Sequence, residues 1–154
     1  METKYDAIVI GTGQAGPSLA VRLAGTGMKV AIIERNRFGG TCVNNGCIPT
    51  KTLVASARAA HVARRASDYG VTIRGPIAVD MKKVKMRKDA LVRQSSEGVE
   101  EWLRNTQNLT VIEGHARFAD AHRFVSAMSF SKEINFLSTL ADARLFLRSG
   151  ASMR

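Results

Sequence analysis

The stretch YDAIVIGTGQAGPSLAVRLAGTGMKVAIIE, residues 5–34, decides the fold of this chain. Residues 5–10 form a short apolar run that stops at a glycine, which is typical of a strand buried on both faces of a parallel sheet. Apolar residues then recur at helical spacing over residues 14–24, and glycines end that segment before a second apolar run at residues 29–34. A strand, a glycine turn, a helix and a strand in this order predict a βαβ unit. The predicted fold class is therefore α/β, with a parallel sheet and flanking helices.

The turn between the first strand and the helix contains Gly11, Gly13 and Gly16, which form the pattern G-x-G-x-x-G. That pattern alone is weak evidence, because glycine-rich turns are common. Here it joins a predicted strand to a predicted helix, and Glu34 ends the next strand 18 positions after Gly16. A carboxylate at that place can accept hydrogen bonds from ribose hydroxyls. The context predicts a dinucleotide site, and the alternative, a glycine turn that binds no ligand, explains less of the pattern.

The three glycines have separate physical roles. Gly11 permits the tight turn, Gly13 lets the backbone approach a pyrophosphate without a clash at Cβ, and Gly16 lets the helix pack closely on the strand. Gln14 and Ala15 fall at the start of the helix, where free N–H groups and the positive end of the helix dipole favour an anion. We therefore expect these five residues to hold a diphosphate.

The chain beyond this unit contains further elements of both kinds. Residues 50–67 lack helix breakers and predict a helix, residues 69–73 predict a short strand, and residues 109–114 predict a third strand of the sheet. Residues 80–105 predict one or two amphipathic helices. The positions expected to be buried on those helices are Val84, Leu91, Val92, Val99, Trp102 and Leu103.

The chain is strongly basic, with 23 Lys and Arg residues against 13 Asp and Glu residues and a net charge of +10. Five basic residues fall close together, at Lys82, Lys83, Lys85, Arg87 and Lys88. A nucleic-acid site is one interpretation of this run, but no aromatic residue interleaves with it, so a solvated helix face is favoured. The apolar stretch near the start is too short for a signal peptide or a membrane span. We expect a cytoplasmic protein without nucleic-acid or membrane partners.

The two cysteines of the chain, Cys42 and Cys47, stand in the segment GGTCVNNGCIPTK, residues 39–51. A metal site is a poor interpretation, because zinc usually takes four ligands and only three histidines in the chain could supplement the two thiolates. Two unrelated buried cysteines remain an alternative, but the surrounding glycines, asparagines and proline indicate a specially shaped backbone. A reversible disulfide is the better interpretation, and no metal site is predicted.

The segment GGTCVNNGCIPTK resembles the active-site signature of the class I pyridine nucleotide–disulfide oxidoreductases, a family that includes dihydrolipoamide dehydrogenase, glutathione reductase and mercuric reductase. Together with the glycine fingerprint and Glu34, the resemblance covers residues 4–122, and the residues after Cys47 are most similar to the mercuric-reductase-like branch. Thr50 stands where serine is commoner in the family. The resemblance implies a Rossmann-like FAD/NAD(P)-binding domain and FAD as cofactor.

The resemblance also implies roles for individual residues. Cys42 would be the interchange thiol that attacks the substrate, Cys47 the thiol that lies against the flavin, and Lys51 the lysine beside the flavin ring. Thr41 matches a position near the FAD diphosphate. In residues 114–118, GHARF resembles the segment that meets the adenine; without the family, its histidine is a surface residue. The complete set predicted to contact FAD is Gly11, Gly13, Gln14, Ala15, Gly16, Glu34, Arg35, Gly40, Thr41, Lys51, His115 and Ala116.

The function implied is electron transfer from NAD(P)H through FAD to a Cys42–Cys47 disulfide, and on to a small-molecule disulfide, a thiol or a metal ion. The family forms homodimers, and NAD(P)H binding is expected only for a full-length parent, because the chain contains a single glycine fingerprint. The competing hypothesis is a truncated, non-catalytic remnant that binds FAD.

The resemblance divides the chain into two expected parts. Residues 1–122 are expected to be the amino-terminal part of an FAD-binding domain. Residues 123–154 are expected to be an atypical tail, either out of frame or disordered or helical, with a loose helical pattern at residues 134–147. One face of the parallel sheet is then expected to lack cover.

Overall fold

The structure is a computed structural model that describes residues 3–118, 123–127 and 132–136. Its α-helices are α1 (Gly16–Gly25), α2 (Gly40–Asn44), α3 (Cys47–Arg64) and α4 (Met81–Arg104), and a 3₁₀ turn spans Ala66–Tyr69. Its strands are β1 (Thr3–Tyr5), β2 (Ala7–Ile10), β3 (Val30–Glu34), β4 (Leu109–Glu113), β5 (His115–Phe118), β6 (Arg123–Ala127) and β7 (Lys132–Phe136).

A three-stranded parallel sheet in the order β2-β3-β4 forms the centre of the molecule. In the register of β2 on β3, Ala7 lies opposite Val30, and in that of β3 on β4, Glu34 lies opposite Glu113. The helix α1 connects β2 to β3, so the βαβ unit predicted from residues 5–34 is confirmed. The α/β fold class with a parallel sheet and flanking helices is confirmed with it.

The central strand β3 is buried along its whole length, because both of its faces are covered. Val30 and Ile32 pack into a cluster with residues of α1 and with Leu103 of α4. Ala31 and Ile33 pack into a second cluster with Tyr5 of β1. Burying apolar residues on both sides stabilises a parallel sheet, since it must be covered on both faces.

A second sheet has the strand order β1-β7-β6-β5, and residues of its outer strands β1 and β5 pack on the second face of β3. The strand β1 pairs in parallel with β7, whereas β5, β6 and β7 pair antiparallel. Tyr5 of β1 and Ala116 of β5 belong to the cluster against Ala31 and Ile33. The expectation of an uncovered sheet face is therefore wrong.

The expected loose helix at residues 134–147 is also wrong where the structure describes it. Residues 134–136 lie in β7, and Ile134 pairs with Thr3 in register. Residues 137–147 lie outside the described part of the chain. The proposed boundary between residues 1–122 and 123–154 stays a prediction.

The first predicted strand, residues 5–10, is divided into β1 and β2 at Asp6. Asp6 donates its N–H to the carbonyl oxygen of Lys29 at 2.8 Å, and its carboxylate accepts the N–H of Lys29 at 2.8 Å. These two bonds bend the chain, so that β1 leaves the central sheet and joins the second one. The apolar pattern does not predict the break between β1 and β2, because Asp6 is a single polar residue within a run that is otherwise apolar.

Two further expectations fail near the helices. Residues 69–73 do not form a strand; the chain makes the turn Ala66–Tyr69 there, and Val71 is 54% exposed. Trp102 is 45% exposed, whereas Val92 and Leu103 of the same predicted stripe are buried. Trp102 is adjacent in sequence to Leu103, so it lies about 100° away around the helix, at the edge of the buried stripe.

The helix that follows the cysteine segment begins three residues earlier than predicted, at Cys47. Pro49 is compatible with this start because a proline in the first helical turn breaks no helical hydrogen bond. The residues before it include the short helix α2, which was not predicted from the sequence. Both cysteines therefore lie on helices, and none of the described helices is long and apolar enough to cross a membrane.

Candidate functional site

The fingerprint turn between β2 and α1 is as tight as its glycines predict. Gly11 has a φ of 94°, a left-handed conformation that favours glycine. A Cβ atom on Gly16 would lie 2.1 Å from the carbonyl oxygen of Gly11. No side chain fits at that distance, so the first turn of α1 can pack on the end of β2 only with glycine at position 16.

The start of α1 presents unpaired donors. Among the described residues, the N–H groups of Gly13, Gln14 and Ala15 donate to no protein acceptor. Gly13 is buried, while Gln14 and Ala15 are exposed. Free N–H groups at the positive end of a helix dipole form a place for an anion. This cradle fits the diphosphate of a dinucleotide.

The loop after β3 meets the fingerprint turn. A Cβ atom on Gly40 would lie 2.9 Å from Cα of Gly13, and Gly40 has a φ of 60°. Only glycine allows this contact without displacing the neighbouring backbone. Since Gly40 begins α2, the contact brings Thr41 and Cys42 to the same end of the sheet as the fingerprint.

Glu34 is the last residue of β3 and is only 9% exposed. Its Oε2 atom accepts hydrogen bonds from the N–H of Thr12 at 2.8 Å and from Oγ1 of Thr12 at 2.6 Å. Its Oε1 atom accepts the N–H of Asn36 at 2.9 Å. A buried carboxylate is costly unless it is hydrogen-bonded, and these three donors offset that cost.

Thr12 is a site residue that the sequence analysis missed. Its side chain is fully buried and, besides bonding Glu34, its Oγ1 atom accepts the N–H of Gly39 at 3.2 Å. The signal available in the sequence was its place between the first two fingerprint glycines, where a hydroxyl group can reach the end of the neighbouring strand. The G-x-G-x-x-G pattern itself leaves that position variable.

Asn44 is a second residue that was missed. Its Nδ2 atom donates to the carbonyl oxygens of Phe38 and Gly40, both at 2.9 Å, and Ser96 of α4 donates to the same oxygen of Phe38 at 2.8 Å. These bonds fix the turn that leads into α2. The Oδ1 atom of Asn44 is buried and has no hydrogen-bond partner within the described residues.

Cys42 and Cys47 form a disulfide, and their Cα atoms are 4.7 Å apart. Cys42 lies in α2 and Cys47 is the first residue of α3. The carbonyl oxygen of Thr41 accepts the N–H groups of Asn45 at 2.9 Å and Gly46 at 2.7 Å, which closes the turn between the helices. This turn holds the two sulfur atoms together.

The other predicted residues are distributed around the same region. Lys51 lies on α3, four residues after Cys47, and is exposed, as are Arg35 and Thr41. His115 is exposed, and its Nδ1 atom accepts Nε of Arg117 at 3.4 Å.

The segment before His115 is tied to Glu34. Gly114 donates its N–H to the carbonyl oxygen of Glu34 at 2.7 Å, which brings the start of β5 beside the end of β3. Ala116 is half-buried against the second core cluster. The structure thus brings the predicted adenine segment next to the predicted ribose-binding carboxylate.

The basic run on α4 is partly paired. Lys85 and Lys88 both bind the carboxylate of Asp89, and these hydrogen bonds lower the pKa of Asp89 to about 2. Arg87 donates from Nη1 to the carbonyl oxygen of Thr52 at 3.0 Å, which fastens α4 to α3. Part of this run therefore stabilises the helix and its packing. Within the described residues, no three His, Cys, Asp or Glu side chains form a group that could hold a metal ion.

Comparison with known families agrees with this geometry. The pyridine nucleotide-disulphide oxidoreductase family matches residues 5–152 of the chain. The chain belongs to this family. The resemblance stated from the cysteine segment is thereby confirmed, and members of the family use FAD and NAD(P)H.

Several curated relatives are dihydrolipoyl dehydrogenases. The protein from Acholeplasma laidlawii is 39% identical over 99 residues, which cover 64% of this chain and 30% of that protein. The protein from Bacillus subtilis is 37% identical over 117 residues, covering 76% of this chain and 24% of that protein. The chain thus spans between about a quarter and a third of the length of the relatives it matches.

A solved structure of a related protein has a similar fold. The Cu(II) complex of the HOCl-induced flavoprotein disulfide reductase RclA from Escherichia coli is 34% identical, with a TM-score of 0.72. The match covers 87% of this chain and 27% of that protein. The Rossmann-like fold class is therefore confirmed by a flavoprotein disulfide reductase.

Proposed function

We propose that this chain binds FAD and exchanges electrons between the flavin and the Cys42–Cys47 disulfide. The observation that carries the proposal is the disulfide itself, which joins α2 to the first residue of α3. The start of α2 lies against the fingerprint turn through the contact of Gly40 with Gly13. A redox pair and a dinucleotide cradle are thus parts of one site.

The residues around the cradle fit FAD. The free N–H groups of Gly13, Gln14 and Ala15 would bind the diphosphate, helped by the dipole of α1. The carboxylate of Glu34 would bind the adenosine ribose. His115 and Ala116 would meet the adenine, and the bond from the N–H of Gly114, the residue before His115, to the carbonyl oxygen of Glu34 supports this role. Arg35, Gly40 and Thr41 follow the same strand end.

The cysteines would carry the chemistry. Reduced FAD, when bound, would supply two electrons to the disulfide and would return to its oxidised form. The bond between the sulfur atoms of Cys42 and Cys47 breaks, one proton is taken up at Cys42, and Cys47 is left as a thiolate. Cys47 is suited to hold that charge, because it sits at the positive end of the dipole of an 18-residue helix and one turn before Lys51. Cys42, half-buried in α2, would then attack the substrate.

The reaction we propose for the complete enzyme passes electrons from NAD(P)H through FAD to the Cys42–Cys47 disulfide and on to a thiol/disulfide or metal-ion substrate, in a homodimer in the cytoplasm. The relatives matched above include dihydrolipoyl dehydrogenases and a flavoprotein disulfide reductase, which supports this reaction. The proposed organisation is an FAD-binding part at residues 1–122 followed by a tail at residues 123–154.

A second candidate is an FAD-binding chain without turnover. The observation that favours it is that the chain carries a single glycine fingerprint and spans 24–30% of the length of its relatives. The two candidates share the FAD site and differ in whether NAD(P)H is consumed.

Titration of FAD against the 154-residue chain, followed by flavin fluorescence, tests the shared part. We expect saturable binding, and we expect Gly13→Val to weaken it because a side chain there blocks approach of the diphosphate. Gly25→Ala, at the other end of α1, is the control, because its added Cβ meets no atom within 4 Å. A wild-type chain that binds no FAD, or a Gly13→Val variant that binds as tightly as wild type, contradicts the proposal.

A further inference from the structure

The hydroxyl group of Thr12 connects two loops that the proposed site needs. It donates its one proton to Oε2 of Glu34 at 2.6 Å and accepts the N–H of Gly39 at 3.2 Å. Thr12 is fully buried, so no water replaces either bond. One side chain therefore ties the fingerprint turn to the end of β3 and to the loop before α2.

The bonds of Thr12 also decide which oxygen of Glu34 is free. Oε2 accepts both the N–H and the hydroxyl of Thr12, which uses its two lone pairs. Oε1 accepts only the N–H of Asn36, so one lone pair remains for a ligand. One oxygen of the Glu34 carboxylate is therefore fully used by Thr12, and the other can accept one more hydrogen bond from a ligand.

The hydrogen bond between Gly39 and Thr12 connects the fingerprint turn to the segment that carries the disulfide. Gly39 is the residue before α2, and it precedes Gly40, which lies against Gly13. The bond from the N–H of Gly39 to Thr12 thus fixes the start of the short helix that carries Cys42.

We propose that Thr12 is a positioning residue that orients Glu34 for the ribose of the dinucleotide and holds the loop carrying Cys42 at the same site. This inference rests on the proposed function. Nothing in the glycine pattern requires a hydroxyl at position 12. Its role follows from one hydroxyl that both donates and accepts between buried partners.

The test compares three variants of Thr12 in the 154-residue chain. Thr12→Ala and Thr12→Val remove the hydroxyl, whereas Thr12→Ser keeps it. The measured quantities are the dissociation constants of FAD and of ADP, which carries the ribose and the diphosphate without the flavin. We expect loss of the hydroxyl to weaken both ligands roughly tenfold, the change expected for one hydrogen bond to a charged group, with Thr12→Ser close to wild type.

A double variant at Thr12 and Glu34 separates a positioning role of Thr12 from a general effect on the stability of the chain. In a Glu34→Ala chain, which has no side-chain acceptor for Thr12, we expect Thr12→Ala to cause little further loss of affinity, because the group that it orients is absent. Independent, additive losses in the double variant would mean that Thr12 does not act through Glu34. Circular dichroism of each apo variant checks that it is folded.

The outcomes distinguish the two proposals. If the wild type binds neither FAD nor ADP, the proposed function fails and this inference fails with it. If the wild type binds both, and Thr12→Ala or Thr12→Val binds as tightly, only the inference fails. A folded Thr12→Ser variant with a tenfold loss also overturns it, even where the variants without a hydroxyl do not fold.

Discussion

Gly16 lies directly against Gly11, such that a Cβ atom on Gly16 would come within 2.1 Å of the carbonyl oxygen of Gly11. We expect Gly16→Ala to lower the free energy of unfolding by about 1–3 kcal/mol, the usual cost of forcing an extra group into a packed site. The measurement is urea denaturation followed by circular dichroism. The first turn of α1 would have to move, so weaker FAD binding should accompany the loss of stability.

The matched control is Gly98→Ala, in the interior of α4, where the added Cβ meets no atom within 4 Å. We expect this variant to gain about 0.5–1 kcal/mol, because alanine is the better helix former. If Gly16→Ala is as stable as Gly98→Ala, the close approach at the fingerprint turn does not exist.

Glu34, which we propose to bind the ribose, also has a structural role. From the sequence, Glu34→Ala is expected to weaken FAD binding and leave the fold intact. The structure changes that prediction, because the substitution removes the acceptor of two buried donors of Thr12. We expect a loss of about 1–3 kcal/mol in unfolding free energy, the cost of stranding a buried polar group. Thermal and urea denaturation of the apo chain measure it.

Glu113→Ala provides the comparison for Glu34. Glu113 lies opposite Glu34 in the register of β3 and β4, but it is exposed and paired with Arg104. An exposed ion pair is worth about 0–1 kcal/mol, so this variant should be close to wild type in stability and in FAD affinity. Equal losses in the two variants would argue against a special role for the buried carboxylate.

The Cys42–Cys47 disulfide determines how many free thiol groups the protein should show. Cys42 and Cys47 are the only cysteines in the sequence, and they are bonded to each other. Air-oxidised protein, unfolded in denaturant, should show no reactive thiol, and two should appear after mild reduction. Cys47→Ser should show one thiol under both conditions. Two free thiols in the oxidised wild type would remove the redox assignment.

The β2–α1–β3 unit could be predicted from the sequence because its pattern is local. Strand, turn and helix each follow from residues close together in the chain, and the glycine spacing requires a strand before it and a helix after it. The disulfide was predicted from the segment around Cys42 and Cys47 and from its resemblance to the family signature. Glu34 was placed correctly at the end of β3.

The second sheet could not be predicted in the same way, because its pairing is not local. β1 pairs with β7, which joins Thr3 to Ile134 across almost the whole chain. Pairing at that separation leaves no periodic signal in either segment alone. The strand predicted at residues 69–73 does not form. An apolar run needs an adjacent strand edge with which to pair, and this run has the pattern of a strand but no such edge among the described residues.

The hydrogen bonds of the site could not be predicted from the sequence either. Thr12 and Asn44 occupy positions that a spacing pattern treats as variable. Their roles depend on which backbone groups are left without partners where two loops meet, at Phe38, Gly39 and Gly40. That information exists only once the loops are placed.

Turnover separates the two candidate functions. Because the sequence holds one glycine fingerprint, we expect the 154-residue chain supplied with FAD to leave NADH and NADPH unconsumed in the presence of a disulfide substrate. Absorbance of the reduced nicotinamide measures this directly. A Cys42→Ser, Cys47→Ser double variant sets the background rate. Oxidation of either nicotinamide above that rate would show that this chain completes the cycle by itself.

Anaerobic reduction of the FAD-loaded chain with dithionite tests most directly whether a flavin lies against the Cys42–Cys47 pair. The absorbance spectrum is recorded after each addition. We predict that the first two electrons open the disulfide and produce a long-wavelength band from contact of the Cys47 thiolate with the flavin. Cys42→Ser should show that band without any reductant, and Cys47→Ser should never show it. Bleaching of the flavin by the first two electrons, with no long-wavelength band in the wild type, would contradict the account.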